Sequence, residues 1–320
     1  MPGDRGGPPP ERAGASDLGA APRAGARSAT STAGGGNRSR GSMGRRLLIG
    51  AAVIYVGSLL LLPIVTLATG AFAEGVSKFF RALSHPHALH ALWVTALLVV
   101  FAVLLNAVFG TLVAWVLVRD RFPGRKALSA LVDVPFALSP VIAGFVLIEL
   151  FGAKGLLRAV TDAVGIQVAF ALPGMVLATT FVSLPFVIRE VMPVLEEIGT
   201  DQEQAAYTLG ASPLATFRRV TLPSIRWGLF YGVTLTAARA IGEFGAVLVV
   251  SGGVAGRTET ATSFVYRALE DRNETGAYAM ALVLSVASIA LLFAMDAVKQ
   301  QRTSASPETV GGAAVAEEIR

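Results

Sequence analysis

Six long apolar runs dominate this sequence and leave few ways for the chain to fold. They cover residues 47–69, 91–118, 127–148, 163–188, 227–256 and 275–295. A helix needs about 20 apolar residues to cross the hydrocarbon core of a bilayer, and every run reaches that length. Backbone polar groups inside lipid must bond within the segment, and the runs lack the short alternating pattern of barrel strands. We therefore predict an all-α, polytopic membrane protein with six transmembrane helices.

Composition excludes several other classes of protein. Hydrophobic residues make up 53% of the chain and charged residues only 15%, whereas soluble domains carry about 25% charged residues. The net charge of +5 arises within residues 1–46. The rest of the chain is neutral overall and offers no basic surface, so we expect no nucleic-acid partner. The chain contains no cysteine, which excludes disulfides and thiol catalysis.

The runs divide the chain into a membrane domain and two tails. Residues 1–44 are rich in Gly, Pro, Ala, Ser and Arg and predict a disordered tail. A start at Met43, which would place 1–42 upstream of the protein, is an open alternative. Residues 45–300 form the expected membrane domain, and 301–320 form the second tail. A cleaved signal peptide is disfavoured for the first run, because its 23 residues exceed a typical h-region.

Lysine and arginine predict the orientation. With both termini in the cytoplasm, the inner segments carry 19 Lys and Arg residues and the outer segments carry 7. Without the tail before Arg45 the counts are 13 and 7. Positive charge accumulates on the cytoplasmic side of membrane proteins, so we predict that both termini are cytoplasmic.

Two of the predicted spans contain helix breakers. The third carries Asp133, two prolines and Gly144, and the fourth carries Pro173 followed by Gly174, and then Pro185. Broken membrane helices expose helix ends to transported ions, so this clustering favours a transporter. Ordinary kinking is the alternative.

The segment between the fourth and fifth runs, residues 189–226, is longer than a connection requires. Thr200 and Glu203 have the spacing of a capping box, and Gly210 stands where a left-handed residue ends a helix. Ser212 and the proline after it predict a second short helix, which we expect to stop near Pro223. A helix–glycine–helix module suits docking to a soluble partner, and a solvated loop without a partner is the alternative.

This segment resembles the EAA loop of permease subunits of ABC importers. The resemblance rests on Gln204-Ala205-Ala206 before Gly210, and on Val220-x-Leu222-Pro223 after nine further residues. Gln204 stands where the family usually has Glu, and Val220 where it usually has Ile. The resemblance implies a type I importer permease with six helices, whose loop fits a cleft on an ATPase subunit. The residues that it assigns to this coupling loop are Glu203, Gln204, Ala205, Ala206, Gly210, Ala211, Val220, Leu222 and Pro223.

Two further stretches narrow the resemblance to sulfate/thiosulfate and molybdate permeases. They are residues 135–144 and 238–247, while 258–260 and 276–279 are most similar to the W-type sulfate permease subunit. The resemblance implies a T-type permease partner, two cytoplasmic ATPase subunits that bind ATP and Mg, and a periplasmic or lipid-anchored oxyanion-binding protein. It implies a bacterial inner membrane, and no catalytic residue or cofactor in this chain. A molybdate permease and an ATP-independent secondary transporter are the alternatives.

Polar residues inside the runs are the candidates for a gate or pathway. Arg239 and Glu243 lie four residues apart and predict an ion pair, because unpaired charges are costly in a membrane. This pair is either a gate element or a structural clamp. A translocation path for a divalent anion needs weak, uncharged donors, and the candidates are Ser139, Thr179, Thr180 and Ser183. Such hydroxyls often bond to their own backbone instead.

Two short segments resemble a metal site and a phosphate loop but do not match either pattern. The histidines at 85, 87 and 90 have no adjacent carboxylate and predict a solvated loop, so we expect no metal site. Residues 252–258 lack the Gly-x4-Gly-Lys-Ser/Thr pattern of a phosphate loop.

Overall fold

A computed structural model describes residues 38–303, with side chains from 44 to 298, and this part of the chain is helical without strands. Most of both predicted tails lies outside the described residues. Fifteen α-helices and two π-helical turns follow one another: α1 Arg38–Phe72, α2 Val76–Leu83, α3 Pro86–Leu105, the first π turn Asn106–Gly110, α4 Thr111–Arg119, α5 Arg125–Val132, α6 Val134–Ala137, α7 Pro140–Phe151, α8 Arg158–Val164, α9 Leu172–Ile198, α10 Asp201–Thr208, α11 Pro213–Thr216, the second π turn Phe217–Thr221, α12 Leu222–Ile241, α13 Gly245–Ser251, α14 Ala261–Glu270 and α15 Glu274–Thr303.

Four helical segments are long and apolar enough to cross a membrane, namely Gly44–Phe72, Pro86–Arg119, Leu172–Ile198 and Glu274–Val298. Two bent pairs also qualify if each counts as one span. Arg125–Ala137 meets Pro140–Phe151 at 112°, and Pro213–Ile241 meets Gly245–Ser251 at 59°. The predicted all-α fold with several membrane helices is confirmed, and the orientation of its termini stays a prediction.

The chain divides after Val56 into two compact units. The described part of the first unit is the beginning of α1. The second unit contains the rest of the described chain, and its contacts are the subject of everything that follows.

Helices α9 and α12 pack closely along the centre of the second unit. Two glycines of α12 allow the approach: a Cβ on Gly228 would lie 2.7 Å from the Glu190 carbonyl oxygen, and one on Gly232 would lie 2.7 Å from the Val187 Cα. Small residues bring membrane helices into van der Waals contact in this way. Around this seam a buried apolar cluster gathers side chains of α4, α5, α9 and α12, among them Leu117, Ile188 and Ile225.

The fourth span differs from its prediction. The sequence predicts helix from residue 163, but α8 ends before Gly165, whose φ is 72°, and α9 begins only at Leu172. Pro173 therefore lies in the first turn of α9, where its missing N–H costs nothing, and it does not break the span. Gly174 is required because a Cβ there would lie 2.2 Å from the Val168 carbonyl oxygen. The second broken span is instead the fifth, between Ile241 and Gly245.

Candidate functional site

The loop with the EAA resemblance forms two short helices around a sharp turn. Helix α10 ends in a Schellman motif, in which Gly210 N–H donates to the Tyr207 carbonyl and Ala211 N–H donates to the Ala206 carbonyl. Gly210 has a φ of 82°, the left-handed conformation that the sequence predicts. Ser212 then caps α11 by accepting a hydrogen bond from the Ala215 N–H at 3.3 Å. Local signals in the sequence therefore account for this turn.

Glu203 does not act as the predicted capping residue. Its carboxylate is only 10% exposed and lies 3.1 Å from Nε of Arg119, which is 11% exposed. Thr221 also donates its hydroxyl to Glu203 Oε1 at 2.8 Å. The Thr200 side chain makes no backbone cap and instead accepts a hydrogen bond from the Gln204 amide. A tertiary ion pair thus replaces the local interaction, because a buried carboxylate gains more from a cation than from a backbone amide.

Arg119 joins three helices at this point. It is the last residue of α4, and its guanidinium donates to the carbonyls of Leu195 at 3.0 Å and Gly199 at 2.6 Å. These carbonyls lie at the C-terminal end of α9, where helices leave acceptors unpaired and favour a cation. Together with Glu203, Arg119 fixes the start of α10 to the ends of α4 and α9. We call Arg119, Glu203 and Thr221 the buried anchor of the loop.

The second helix of the loop continues into the membrane rather than stopping near Pro223. The chain is helical from Pro213 to Ile241, with the second π turn inside it. In this turn the Leu222 N–H reaches the Phe217 carbonyl, five residues back. Such a turn offsets the hydrogen-bond ladder, so a proline directly after it interrupts nothing. Phe217 also packs against Trp115 of α4, with ring centroids 5.5 Å apart.

The loop presents apolar side chains on its outer surface. Leu209 is 89% exposed, and Tyr207 and Leu214 are also exposed beside the turn. Arg218 is exposed farther along the loop. Exposed apolar side chains grouped beside one turn are typical of a docking surface.

The residues of the motif divide between this surface and the interior. Gln204, Ala205, Gly210 and Pro223 are exposed, whereas Ala206, Ala211, Val220 and Leu222 are partly buried.

Arg239 and Glu243 pair as the sequence predicts, but not within one helix. The Arg239 Nη1 lies 2.7 Å from Glu243 Oε2, with the carboxylate side chain 2% exposed and the arginine 32% exposed. Helix α12 ends before Glu243, which therefore lies in the break of the fifth span. The Glu243 carboxylate accepts a hydrogen bond from the Ala246 N–H at 3.0 Å, and its backbone carbonyl accepts one from the Thr262 hydroxyl. A charge at the bilayer centre costs at least about 2.5–3.5 kcal/mol on insertion scales. Pairing with Arg239 offsets this cost, and the hydrogen bonds of Glu243 link the break to α13 and α14.

The four predicted pathway hydroxyls do not form one cluster of donors. Thr179 and Ser183 are buried on α9 and donate to the carbonyls one turn back, those of Met175 and Thr179. Thr180 is partly buried, and its hydroxyl has no hydrogen-bond partner among the described residues. Ser139 is exposed at the start of α7. The structure leaves a role for these hydroxyls in the pathway as a prediction.

Sequence reasoning missed the contacts of two polar residues, Asn106 in the second run and Arg119 directly after it. The sequence analysis uses Arg119 only as one of the positive charges that predict the orientation, because its partner Glu203 lies 84 residues away. Asn106 is fully buried in the first π turn and donates to the Ser183 hydroxyl at 2.8 Å. A lone amide inside an apolar run is the signal that could have indicated it.

A third ion pair stabilises the segment before α15. Glu259 is fully buried, and both of its oxygens accept hydrogen bonds from Arg267, at 2.6 and 3.2 Å. Hydrogen bonding to Glu259 raises the pKa of Arg267, against the opposing effect of desolvation.

The histidines lie at the start of α3. His85 acts as the N-cap of this helix, and its side chain accepts a hydrogen bond from the His87 N–H. Among residues 38–303 no three His, Asp or Glu side chains are placed to hold a metal ion.

Several helices long and apolar enough to cross a membrane, a loop of two short helices with exposed apolar side chains and an ion-paired helix break are together typical of a permease-like membrane protein. The family of binding-protein-dependent transport system inner membrane components matches residues 106–304. The chain belongs to this family.

Two relatives illustrate the similarity. The sulfate transport system permease protein CysW of Synechococcus elongatus is 46% identical over 80% of this chain and 89% of its own length. The permease protein CysT of Salmonella typhimurium is 38% identical over 81% of this chain and 93% of its own length.

The fold also resembles a solved transporter. One chain in the crystal structure of a bacterial alginate ABC transporter, in complex with an alginate-bound periplasmic protein, has a TM-score of 0.67. The match covers 83% of this chain and 96% of the other at 17% identity, so it bears on the fold alone.

Proposed function

We propose that this chain is the W-type permease subunit of an ABC importer for sulfate or thiosulfate. The observation that carries the proposal is the 46% identity to a CysW permease over nearly the whole length of that relative. The identity to a CysT permease is lower, at 38%, which favours the W-type assignment. The chain then forms half of the translocation pathway in a bacterial inner membrane, with both termini in the cytoplasm.

The loop around Gly210 is the element proposed to couple transport to ATP hydrolysis. Its exposed Leu209 and Leu214 form an apolar tip, which suits a cleft on a cytoplasmic ATPase. ATP and Mg bind to that partner, and this chain supplies the moving element. The buried anchor supports the role, because a rigid loop transmits a displacement that a mobile one would absorb.

Three further partners complete the proposed importer. A T-type permease forms the other half of the pathway, and a second ATPase copy docks on it. An oxyanion-binding protein, periplasmic or lipid-anchored, delivers the anion and supplies most of the selectivity. Arg239 and Glu243 then act at the break of the fifth span, where a gate is the proposed role.

Uptake of labelled sulfate tests the substrate. Cells that lack this gene and any other sulfate route should lose uptake, and the intact gene should restore it. We expect competition by thiosulfate, whereas competition by molybdate alone would favour a molybdate permease. Uptake should fail on ATP depletion and persist with an uncoupler at fixed ATP. The opposite pattern would favour an ion-coupled secondary transporter.

A matched pair of substitutions tests the docking loop. Leu209→Ser removes the most exposed apolar side chain of the loop, and Leu156→Ser removes one that is 87% exposed near α8. We expect only Leu209→Ser to reduce co-purification of the ATPase, while both variants insert normally. Equal retention of the ATPase by both variants would contradict the assignment of the loop.

A further inference from the structure

A further charged pair, Arg189 with Asp133, joins the broken third span to α9. Arg189 Nε donates to Asp133 Oδ1 at 2.9 Å, and its Nη2 donates to Asp133 Oδ2 and to the Ser129 carbonyl. The remaining nitrogen of this guanidinium, Nη1, has no hydrogen-bond partner among the side chains described here. Nη1 can therefore donate a hydrogen bond to a ligand.

Both side chains of this pair are accessible, unlike the three ion pairs described above, in each of which the carboxylate is nearly covered. The Arg189 side chain is 39% exposed and Asp133 is 45% exposed, whereas Arg119, Glu203 and Glu243 are nearly covered. Helix α9 continues through Arg189 to Ile198, so this residue belongs to a candidate span and not to the segment where the sequence analysis places it. Asp133 lies between α5 and α6 in the broken third span. Charged side chains at such positions face water or protein rather than lipid. The face that carries the pair is thus turned toward a cavity or a partner subunit.

The pair lies near the end of α9 that leads into the docking loop. Arg189 precedes the last residue of α9 by nine positions, a distance of about 13 Å along the helix axis. Three residues before Arg189 on α9 and three residues after Asp133 in α6, Phe186 and Phe136 pack edge-on with centroids 5.4 Å apart. An aromatic contact and a charged contact therefore follow each other along the same seam. An anion that moved along this seam toward the docking loop would meet the aromatic rings first and the guanidinium second.

We propose that Arg189 is a transient contact for the transported tetrahedral oxyanion, and that Asp133 keeps this contact weak. The inference rests on the proposed function. A guanidinium presents parallel N–H donors that match two oxygens of such an anion. A lone cation in this position would retain a divalent anion, because attraction is strong where water is limited. A carboxylate that occupies two of the donors reduces the net charge, so the anion is attracted and then released.

The decisive variant is Asp133→Asn, which preserves the size and shape of the side chain and removes its charge. The purified complex of both permeases and the ATPase, without binding protein, is equilibrated with labelled sulfate. We expect Asp133→Asn to bind sulfate at least tenfold more tightly than the original complex, and its uptake in vesicles to fall. Asp133→Asn combined with Arg189→Gln should lose the extra binding. The control is Asp162→Asn, which removes the carboxylate charge of the exposed Arg158–Asp162 pair of α8. It should change neither the sulfate affinity nor the uptake.

Assembly and substrate are controlled separately. If Asp133→Asn fails to assemble, Arg189→Lys replaces it, because lysine retains the cation with fewer contacts to Asp133 and should show an intermediate gain in binding. Reduced uptake without any gain in sulfate binding would overturn the proposal and make the pair a structural clamp. Unchanged uptake and binding would also overturn it.

The original complex is measured first with sulfate and with molybdate. If it transports only molybdate, the proposed substrate is wrong, and the variants are compared with molybdate under the same criteria. If it transports neither anion, both the proposed function and this inference fail.

Discussion

Replacing Glu203 with alanine removes the central member of the buried anchor. The substitution deletes the carboxylate that lies 3.1 Å from Arg119 Nε and accepts the Thr221 hydroxyl at 2.8 Å. Arg119 keeps its two bonds to the carbonyls at the end of α9. Helix α10 therefore loses its ion pair with α4 and its hydrogen bond with the second π turn, while the contact between Trp115 and Phe217 remains.

The size of the effect follows from burial. Breaking a buried ion pair by removing one partner costs about 3–5 kcal/mol. Because Arg119 retains two acceptors, we expect the lower end, about 3 kcal/mol. A change of this size raises the population of the locally open loop by about two powers of ten, since each factor of ten corresponds to about 1.4 kcal/mol. Exposed Gln204 serves as the control, because its alanine variant loses only a surface bond to Thr200.

Limited trypsin digestion measures this opening. The loop contains Arg218 and Arg219 in its second π turn, where cleavage requires local unfolding. When opening is fast relative to cleavage, the cleavage rate tracks the open population. We expect cleavage about 100-fold faster in Glu203→Ala than in Gln204→Ala. Equal cleavage rates in these two variants would refute the reasoning that Glu203 is a buried anchor rather than part of the docking surface.

Three other substitutions give separate outcomes. Gly210→Val should lower sulfate uptake per ATP hydrolysed, because a left-handed residue with a side chain costs about 1–2 kcal/mol; Gly210→Asn, which tolerates that conformation, should retain coupling. A Cβ there would meet nothing within 4 Å, so a steric effect is not expected. Arg239→Ala should lower the melting temperature of the complex more than Arg239→Ala with Glu243→Ala, because the single change leaves a buried carboxylate unpaired; equal losses would contradict this. Arg267→Gln should lower the melting temperature by several degrees because its fully buried partner loses a cation, whereas Asp271→Asn, at an exposed contact, should have little effect.

The sequence predicts the all-α fold and its several membrane helices well, because length and hydropathy are local properties. Their ends are less predictable. Residues 166–171 are almost entirely apolar, yet they form a connection in which Phe170 has a φ of 59° and its N–H donates to the Val250 carbonyl. Hydropathy does not separate an apolar connection from an apolar helix, because it contains no information on backbone conformation.

The docking loop shows the same division between local and distant causes. Gly210 and Ser212 adopt the predicted conformations because turns and caps depend on near neighbours. Glu203 departs from its predicted role because its partner comes from another helix, 84 residues away. A single sequence contains no signal for that pairing.

The unbroken helix from Pro213 to Ile241 has a mechanical consequence. Its 29 residues span about 43 Å at 1.5 Å per residue, which exceeds the thickness of the hydrocarbon core of about 30 Å. An α-helix resists axial compression, so under the proposed coupling role a displacement of its loop end would reach the far end nearly undiminished. There the 59° bend before Gly245 would convert the axial displacement into a sideways one. The helix and the bend would then act as a lever between the loop around Gly210 and the break that contains Glu243.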